Sequence, residues 1–180
     1  MANVEKIEVK PDIFLLEALE KLRKYGLLLV SGSMDRANVM AIGWGLNGIL
    51  WRKPFFMVAV RPSRYTFKLI EETGDFTINV PKEGMEELVR YCGTVSGRDH
   101  NKIKEKRLTL LPGKFVTSPI IAECIINYEC RVAYKTKVDP EHLPQDISFS
   151  CYPNDDFHTL FFGEIVNVYV DKNLWDELMT

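Results

Sequence analysis

Short apolar runs rich in β-branched and aromatic residues, punctuated by glycine, proline and asparagine, dominate the chain from residue 27 onward. The segment before them has a different period. Phe14, Leu15, Leu19 and Leu22 recur at helical spacing, Asp12 after Pro11 can cap the helix, and Gly26 is a natural stop. This helix is expected to pack on a sheet. Residues 27–31, 39–46 and 54–61 then read as strands, separated at Gly32-Ser33, Asn47-Gly48 and Arg61-Pro62-Ser63. The connections are short, which favours antiparallel neighbours. Residues 63–73 read as a helix capped by Ser63 and ended by Gly74, residues 75–80 as a strand stopped by Pro81, and residues 85–91 as a second short helix. Farther on, residues 108–111, 120–126, 128–138, 147–152 and 159–170 are apolar and β-branched enough for strands.

Many short strands with few helices between them argue against a doubly wound parallel sheet, in which the two would alternate. The pattern predicts a mainly β fold with flanking helices, built as a closed or partly closed antiparallel barrel. No repeat or low-complexity stretch interrupts it, and the longest irregular segment is 139–145 with its two prolines, so one domain is expected over residues 1–180. Composition narrows the partners. With 180 residues and 46% hydrophobic content the chain can bury a core, while 23 basic against 25 acidic residues leave a formal charge of -2. Such a balance creates no field to gather nucleic acid or a membrane surface, and a small ligand becomes the first expectation. Residues 1–6 contain no apolar signal core, and the longest apolar runs, 27–30 and 55–60, fall far short of a bilayer span; a cytoplasmic location is expected. Cys92, Cys124, Cys130 and Cys151 lack Cys-x-x-Cys spacing and sit in or beside apolar segments, which predicts reduced, partly buried thiols and no metal site.

Two segments carry the features of an anion grip. In Ser96-Gly97-Arg98-Asp99-His100-Asn101-Lys102 a turn-forming Ser-Gly leads into two cations that share a face if the segment is helical; solvated surface charge is the other reading, beside Lys104, Lys106 and Arg107. In Arg61-Pro62-Ser63-Arg64-Tyr65-Thr66 an apolar run ends and a helix opens, so unpaired N–H groups and guanidiniums come together where a phosphate can sit. Ser63 as a simple helix cap is an equal reading there. If residues 38–44 form a strand, Asn38, Met40, Ile42 and Trp44 share one face. Asn38 and Trp44 would be about 20 Å apart in a straight strand, so both can reach one small ring only if the glycines bend the chain, while an extended ligand could reach both. Trp44 in the core with Asn38 capping the strand entry is the other reading. His158 opens a strand pattern after Pro153-Asn154-Asp155-Asp156, either as a ligand contact at a barrel mouth or as the partner of Asp155 or Asp156. No Gly-x-Gly-x-x-Gly follows a strand, and there is no Walker loop, Gly-x-Ser-x-Gly elbow or His-Glu-x-x-His, so redox chemistry here would need a bound cofactor.

The segment from Asn38 to Trp44, the Ser63-x-x-Thr66 spacing, the strand Asp75-Phe76-Thr77-Ile78-Asn79-Val80, the run from Cys92 to Arg98 with Lys102, and His158-Thr159-Leu160-Phe161-Phe162-Gly163-Glu164-Ile165 resemble, in order, the flavin reductase-like family, with the nearest likeness to its flavoredoxins. The match covers residues 25–170. The resemblance implies an antiparallel Greek-key split β-barrel of the FMN-binding type, usually a homodimer, with FMN held non-covalently near the subunit interface. It implies a cofactor-binding set of Asn38, Val39, Met40, Trp44, Ser63, Thr66, Asn79, Ser96, Gly97, Arg98, Lys102 and His158, with no catalytic side chain singled out. By this likeness Asn38 and Trp44 lie beside the ring or ribityl, Ser63 and Thr66 meet the ribityl phosphate region, and Ser96, Gly97, Arg98 and Lys102 complete the anion site. Family members often carry an aromatic residue beyond the last strand that reaches the flavin or the partner subunit; Trp175 stands in its place here. The implied function is an FMN-dependent oxidoreductase moving electrons from NAD(P)H or a reduced protein to flavin, ferric iron or another acceptor. The alternative is a non-enzymatic carrier with tightly bound FMN.

Overall fold

Strands β2 (Leu27–Ser31) and β6 (Asp75–Val80) are buried at every residue, because each is covered on both faces. The computed structural model describes residues 5–10 and 15–179. Within them the other elements are β1 (Lys6–Val9), α1 (Leu15–Lys24), β3 (Asn38–Ile42), β4 (Gly45–Leu50), β5 (Lys53–Val60), α2 (Tyr65–Thr73), α3 (Glu86–Thr94), α4 (Lys102–Glu105), β7 (Leu110–Leu111), β8 (Ile120–Ile121), β9 (Ile126–Lys137), α5 (Gln145–Cys151), β10 (Thr159–Asp171) and α6 (Lys172–Met179). The main sheet runs β3-β2-β6-β9-β10-β5-β4, with β1 on β10, and its pairings are antiparallel. The two ends of this path, β3 and β4, are consecutive in the chain and separated only by Gly43 and Trp44. The sheet therefore curls until its ends meet. The connection from β5 through α2 to β6 crosses over β9 and β10, so that β2 pairs with β6 and β5 with β10, which gives the Greek-key character.

One apolar cluster fills the interior: Leu27, Leu29, Ile42, Phe56, Phe76, Ile78, Tyr128, Phe161 and Val168 belong to it, with Ala18 and Leu22 of α1 closing one side. This is the packing that the period of Leu19 and Leu22 anticipated; Asp12 and Phe14 lie outside the described residues. A second cluster covers the outer face of β2 and β3, where Leu28, Val30 and Val39 meet Val89 and Cys92 of α3. Register shifts in the β9–β10 pairing bend these two long strands around the barrel. One bend falls at Gly163, where a Cβ would stand 2.6 Å from Phe76 Cζ and 2.8 Å from Cys130 Cβ.

Several boundaries differ from the sequence reading. The predicted strand 39–46 is two strands, interrupted at Gly43 and Trp44. Asn47-Gly48, read as a break, lies inside β4, and the hairpin turns instead at Trp51 and Arg52, both with positive φ (50° and 62°). Residues that rarely adopt this conformation make the turn, so the usual glycine signal is missing. Residues 147–152 form α5 and its C-cap rather than a strand, since they project from the barrel with no neighbouring strand to pair. Gly74 ends α2 in the left-handed conformation, as expected, but Ser63 does not cap that helix: its N-cap is Arg64, without a side-chain bond.

Candidate functional site

Where β3 ends, the wall of the barrel opens into a cavity of about 480 Å³. β3 supplies Asn38, Met40 and Ile42, and the Gly43-Trp44 break turns the chain so that Trp44 faces the same space. The bend that would let Asn38 and Trp44 reach one small ring is thus present. Ala59 and Arg61 come from the end of β5, Ser63 to Thr66 from the start of α2, Gly93 to Arg98 from the end of α3 and its following turn, and Lys102 and His158 complete the lining.

The polar floor is tightly specified. Asn38 Nδ2 donates to Thr66 Oγ1 at 2.7 Å, and both residues are buried. Gly97 lies against this pair so closely that a Cβ there would be 2.2 Å from Asn38 Oδ1. Arg98 is exposed; its Nη1 donates to the Ser63 carbonyl at 2.9 Å and its guanidinium lies 5.9 Å from the Tyr65 ring. The two anion-grip segments are therefore joined to each other. Residues 97–99 form a turn, not a helix, and α4 begins only at Lys102, so Arg98 and Lys102 do not share a helical face. Lys102 is only 3% exposed, and its ammonium donates to the carbonyls of Cys92 (3.0 Å) and Val95 (3.3 Å). It thereby compensates the carbonyl end of α3. Burial lowers its pKa, with Arg64 adding to the effect and Cys92 opposing it.

Helix α2 points the other pole of its dipole at the cavity. Its first turn has no side-chain cap, which leaves early N–H groups without side-chain acceptors. Ser63, freed from capping, donates to an Asp156 carboxylate oxygen. Arg64 is exposed on the lining and has no side-chain partner among the described residues. Arg61 is committed, donating to the carbonyls of Cys151 (2.9 Å) and Asp156 (3.1 Å).

Part of the cavity wall is aromatic. The His158 ring lies 4.8 Å from that of Trp44, and its Nδ1 is 3.0 Å from the Tyr152 hydroxyl. Burial first, and then Arg61, push the His158 pKa down to about 4, with Asp156 opposing. The partner of His158 is thus Tyr152, not Asp155 or Asp156. Cys92 also lines the cavity as a thiol that burial pushes up to about 11, so it stands protonated at neutral pH.

Of the residues singled out from sequence, Asn38, Met40, Trp44, Ser63, Thr66, Ser96, Gly97, Arg98, Lys102 and His158 all line this cavity. Val39 and Asn79 do not. Strand alternation turns Val39 outward under α3, in the second apolar cluster. Asn79 is fully buried, donating to Leu28 O and Thr77 Oγ1 while accepting from Ile121 N and Asn127 Nδ2. It ties β2, β6, β8 and β9 together. Trp175 packs against the barrel core and is absent from the lining. Tyr65 and Tyr152 were not anticipated; Tyr152 sits in a segment whose pattern suggested a strand, and nothing in that pattern distinguished it.

The model of the flavin reductase-like domain matches residues 23–179. An uncharacterized protein of Archaeoglobus fulgidus is 36% identical over 154 residues, covering 86% of this chain and 75% of the relative. Among solved structures, flavoredoxin of Desulfovibrio vulgaris (Miyazaki F) superposes with a TM-score of 0.66 at 28% identity, covering 82% of this chain and 70% of its own. Flavoredoxin from Methanosarcina acetivorans gives a TM-score of 0.65 at 30% identity, covering 93% and 76%. The mainly β, split-barrel fold implied by the motifs is the fold observed. With the domain model spanning nearly the whole chain and the order of elements shared, the chain belongs to the flavin reductase-like family.

Proposed function

We propose that this protein binds FMN in the cavity beside β3 and works as a flavin-dependent oxidoreductase, taking electrons from NAD(P)H or a reduced protein and passing them to flavin, ferric iron or another acceptor. The observation that carries this reading is that one cavity joins an uncapped helix start, with Ser63 and Arg64, to the ring pair of Trp44 and His158. A ligand with an anionic tail and a flat polar ring carries the two kinds of group that these features take. The volume of about 480 Å³ lies within the range of small-molecule sites.

The residues fit the group. The first-turn N–H groups of α2, Ser63 and Arg64 would hold the phosphate, with Arg98 closing over it from the facing turn. Asn38 and Thr66, fixed by their mutual hydrogen bond, would orient the middle of the molecule, and Met40, Ile42 and Trp44 would contact the ring. When bound, FMN supplies a ring that accepts a hydride or single electrons. The chain itself would position that ring and screen it from water on the barrel side, and the fixed cations Arg61 and Lys102 of the lining would favour a reduced, anionic ring. We place the protein in the cytoplasm as one domain and as a homodimer. What supports a second copy is the exposure of large apolar side chains on and beside the β4–β5 hairpin, Leu46, Ile49 and Trp51, with Tyr134 next to Trp51. A second reading, a carrier that only exchanges electrons between proteins, draws on the likeness to the two flavoredoxins.

Titration of the purified protein with FMN, followed anaerobically by absorbance as NADH and then NADPH are added, tests the proposal. Bound flavin that bleaches with either nucleotide is the expected result. FMN that binds and is reduced by dithionite but by neither nucleotide supports the carrier instead, and failure to bind FMN overturns both.

A further inference from the structure

Between β9 and β10 the chain leaves the barrel for an excursion, residues 138–158, whose tip is exposed and whose root is not. At the tip, Phe149 is 78% exposed; at the root, Tyr152 is 7% exposed. The Tyr152 ring stacks on Phe157 at 4.8 Å, meets Trp44 edge-on at 6.1 Å, and has the Arg61 guanidinium 5.4 Å away. Its hydroxyl lies 3.0 Å from Nδ1 of His158 and also takes a hydrogen bond from the His158 backbone N–H, which leaves its proton for Nδ1. The other ring nitrogen of His158 has no protein partner among them, although the residue lines the cavity.

A hydroxyl in a site this enclosed must place its proton on an acceptor, and the imidazole Nδ1 is the one within reach. If Nδ1 accepts, the single proton of a neutral imidazole resides on Nε2. We infer that Tyr152 is a positioning residue for His158: its hydroxyl donates to Nδ1 and so fixes the ring with its proton on Nε2, which is offered to the cavity as a hydrogen-bond donor. The ligand that satisfies it must present an acceptor beside Trp44, a carbonyl oxygen or an unprotonated ring nitrogen. The lowered pKa of His158 keeps the ring neutral at physiological pH, so that one tautomer is defined. Tyr152 stays protonated as well, because burial raises its own pKa.

The tautomer belongs to the protein; only the identity of the acceptor rests on the FMN reading. Long-range proton–nitrogen NMR spectra of the histidine-labelled apoprotein at neutral pH therefore come first, with His158→Gln assigning the resonance. The expected wild-type pattern is the Nε2–H tautomer. Tyr152→Phe retains the stacking and removes only the hydroxyl, so it should convert that pattern to a mixture of tautomers and weaken FMN binding roughly two- to tenfold, as loss of one oriented hydrogen bond does. An Nδ1–H tautomer in the wild type, or a pattern unchanged in Tyr152→Phe, overturns the inference. Failure of the wild type to bind FMN would remove the cofactor reading and leave the tautomer result standing.

Discussion

Replacing Gly97 by alanine places one methyl group against Asn38 without disturbing the backbone. Gly97 does not have the positive φ that excludes an L residue, so the cost is confined to the new Cβ. That carbon would lie 2.2 Å from Asn38 Oδ1, 2.6 Å from Cγ and 2.8 Å from Nδ2. Ordinary contact requires a displacement of about 1 Å. Asn38 is 6% exposed and tied to Thr66 at 2.7 Å, so it cannot move that far and keep the bond. Overpacking of this kind costs about 1–3 kcal/mol, and losing the hydrogen bond adds about 1 kcal/mol. The smaller entropy of the unfolded alanine chain returns about 0.4–1 kcal/mol. A net destabilisation of about 1–3 kcal/mol is expected in urea unfolding. FMN affinity should fall at least tenfold, since either Asn38 or the turn carrying Arg98 must shift into the cavity. Combining Gly97→Ala with Asn38→Ala supplies the control, because the methyl then has room. The two changes together should cost about 1 kcal/mol less than the sum of the single changes. Strict additivity, or a Gly97→Ala protein as stable and as tightly binding as the wild type, would refute the reasoning.

Two other perturbations separate roles that look alike in the sequence. Arg64→Met should weaken FMN binding by about fivefold or more and leave thermal unfolding unmoved, because this exposed guanidinium has no side-chain partner among the described residues. Lys102→Met should lower stability by about 1–3 kcal/mol before any ligand is added, because it uncovers the Cys92 and Val95 carbonyls; equal melting temperatures for the two variants would contradict the assignment. His158 links stability to pH. Its folded pKa, about 4, lies below its ordinary 6.5, so the unfolded chain binds a proton that the folded chain refuses between these values. This contribution is complete above about pH 6.5 and is lost as pH falls toward 4. His158→Gln should flatten that part of the stability profile, and identical wild-type and variant slopes between pH 7 and 5 would exclude it.

The strands were legible wherever one face is buried and the pattern alternates, as in β5 and β10, or wherever a run is wholly apolar, as in β2. The hairpin at Trp51-Arg52 was not, because tertiary packing there overrides the preference of the residues for negative φ. Residues 147–152 illustrate the opposite failure: Ile147 and Phe149 look like strand residues, but without a neighbour to pair with, the segment closes its hydrogen bonds locally as α5. For the cavity, the residue types were readable and their allegiances were not. Arg98, Lys102 and Arg64 are all cations near glycine or serine, and only the fold reveals that one bridges to Ser63, one holds the end of α3, and one is left for a ligand. Asn79 was misjudged for the same reason, since a buried strand asparagine serves a network between strands as readily as it serves a cofactor.

The division of the excursion into an anchored root and a free tip separates two kinds of inheritance. Arg61, Ser63 and His158 are held to the excursion through Cys151, Tyr152 and Asp156, and through Val138 N, which donates to the His158 carbonyl. Asp139, Glu141, Asp146 and Phe149 are exposed and make no hydrogen bond to the cavity residues. A lineage can therefore exchange the tip, in length, charge or apolar character, while the hydrogen bonds of the root are transmitted unchanged. The same boundary marks where a foreign loop could be grafted: between Val138 and Ser150, with the residues from Cys151 to His158 kept as they are.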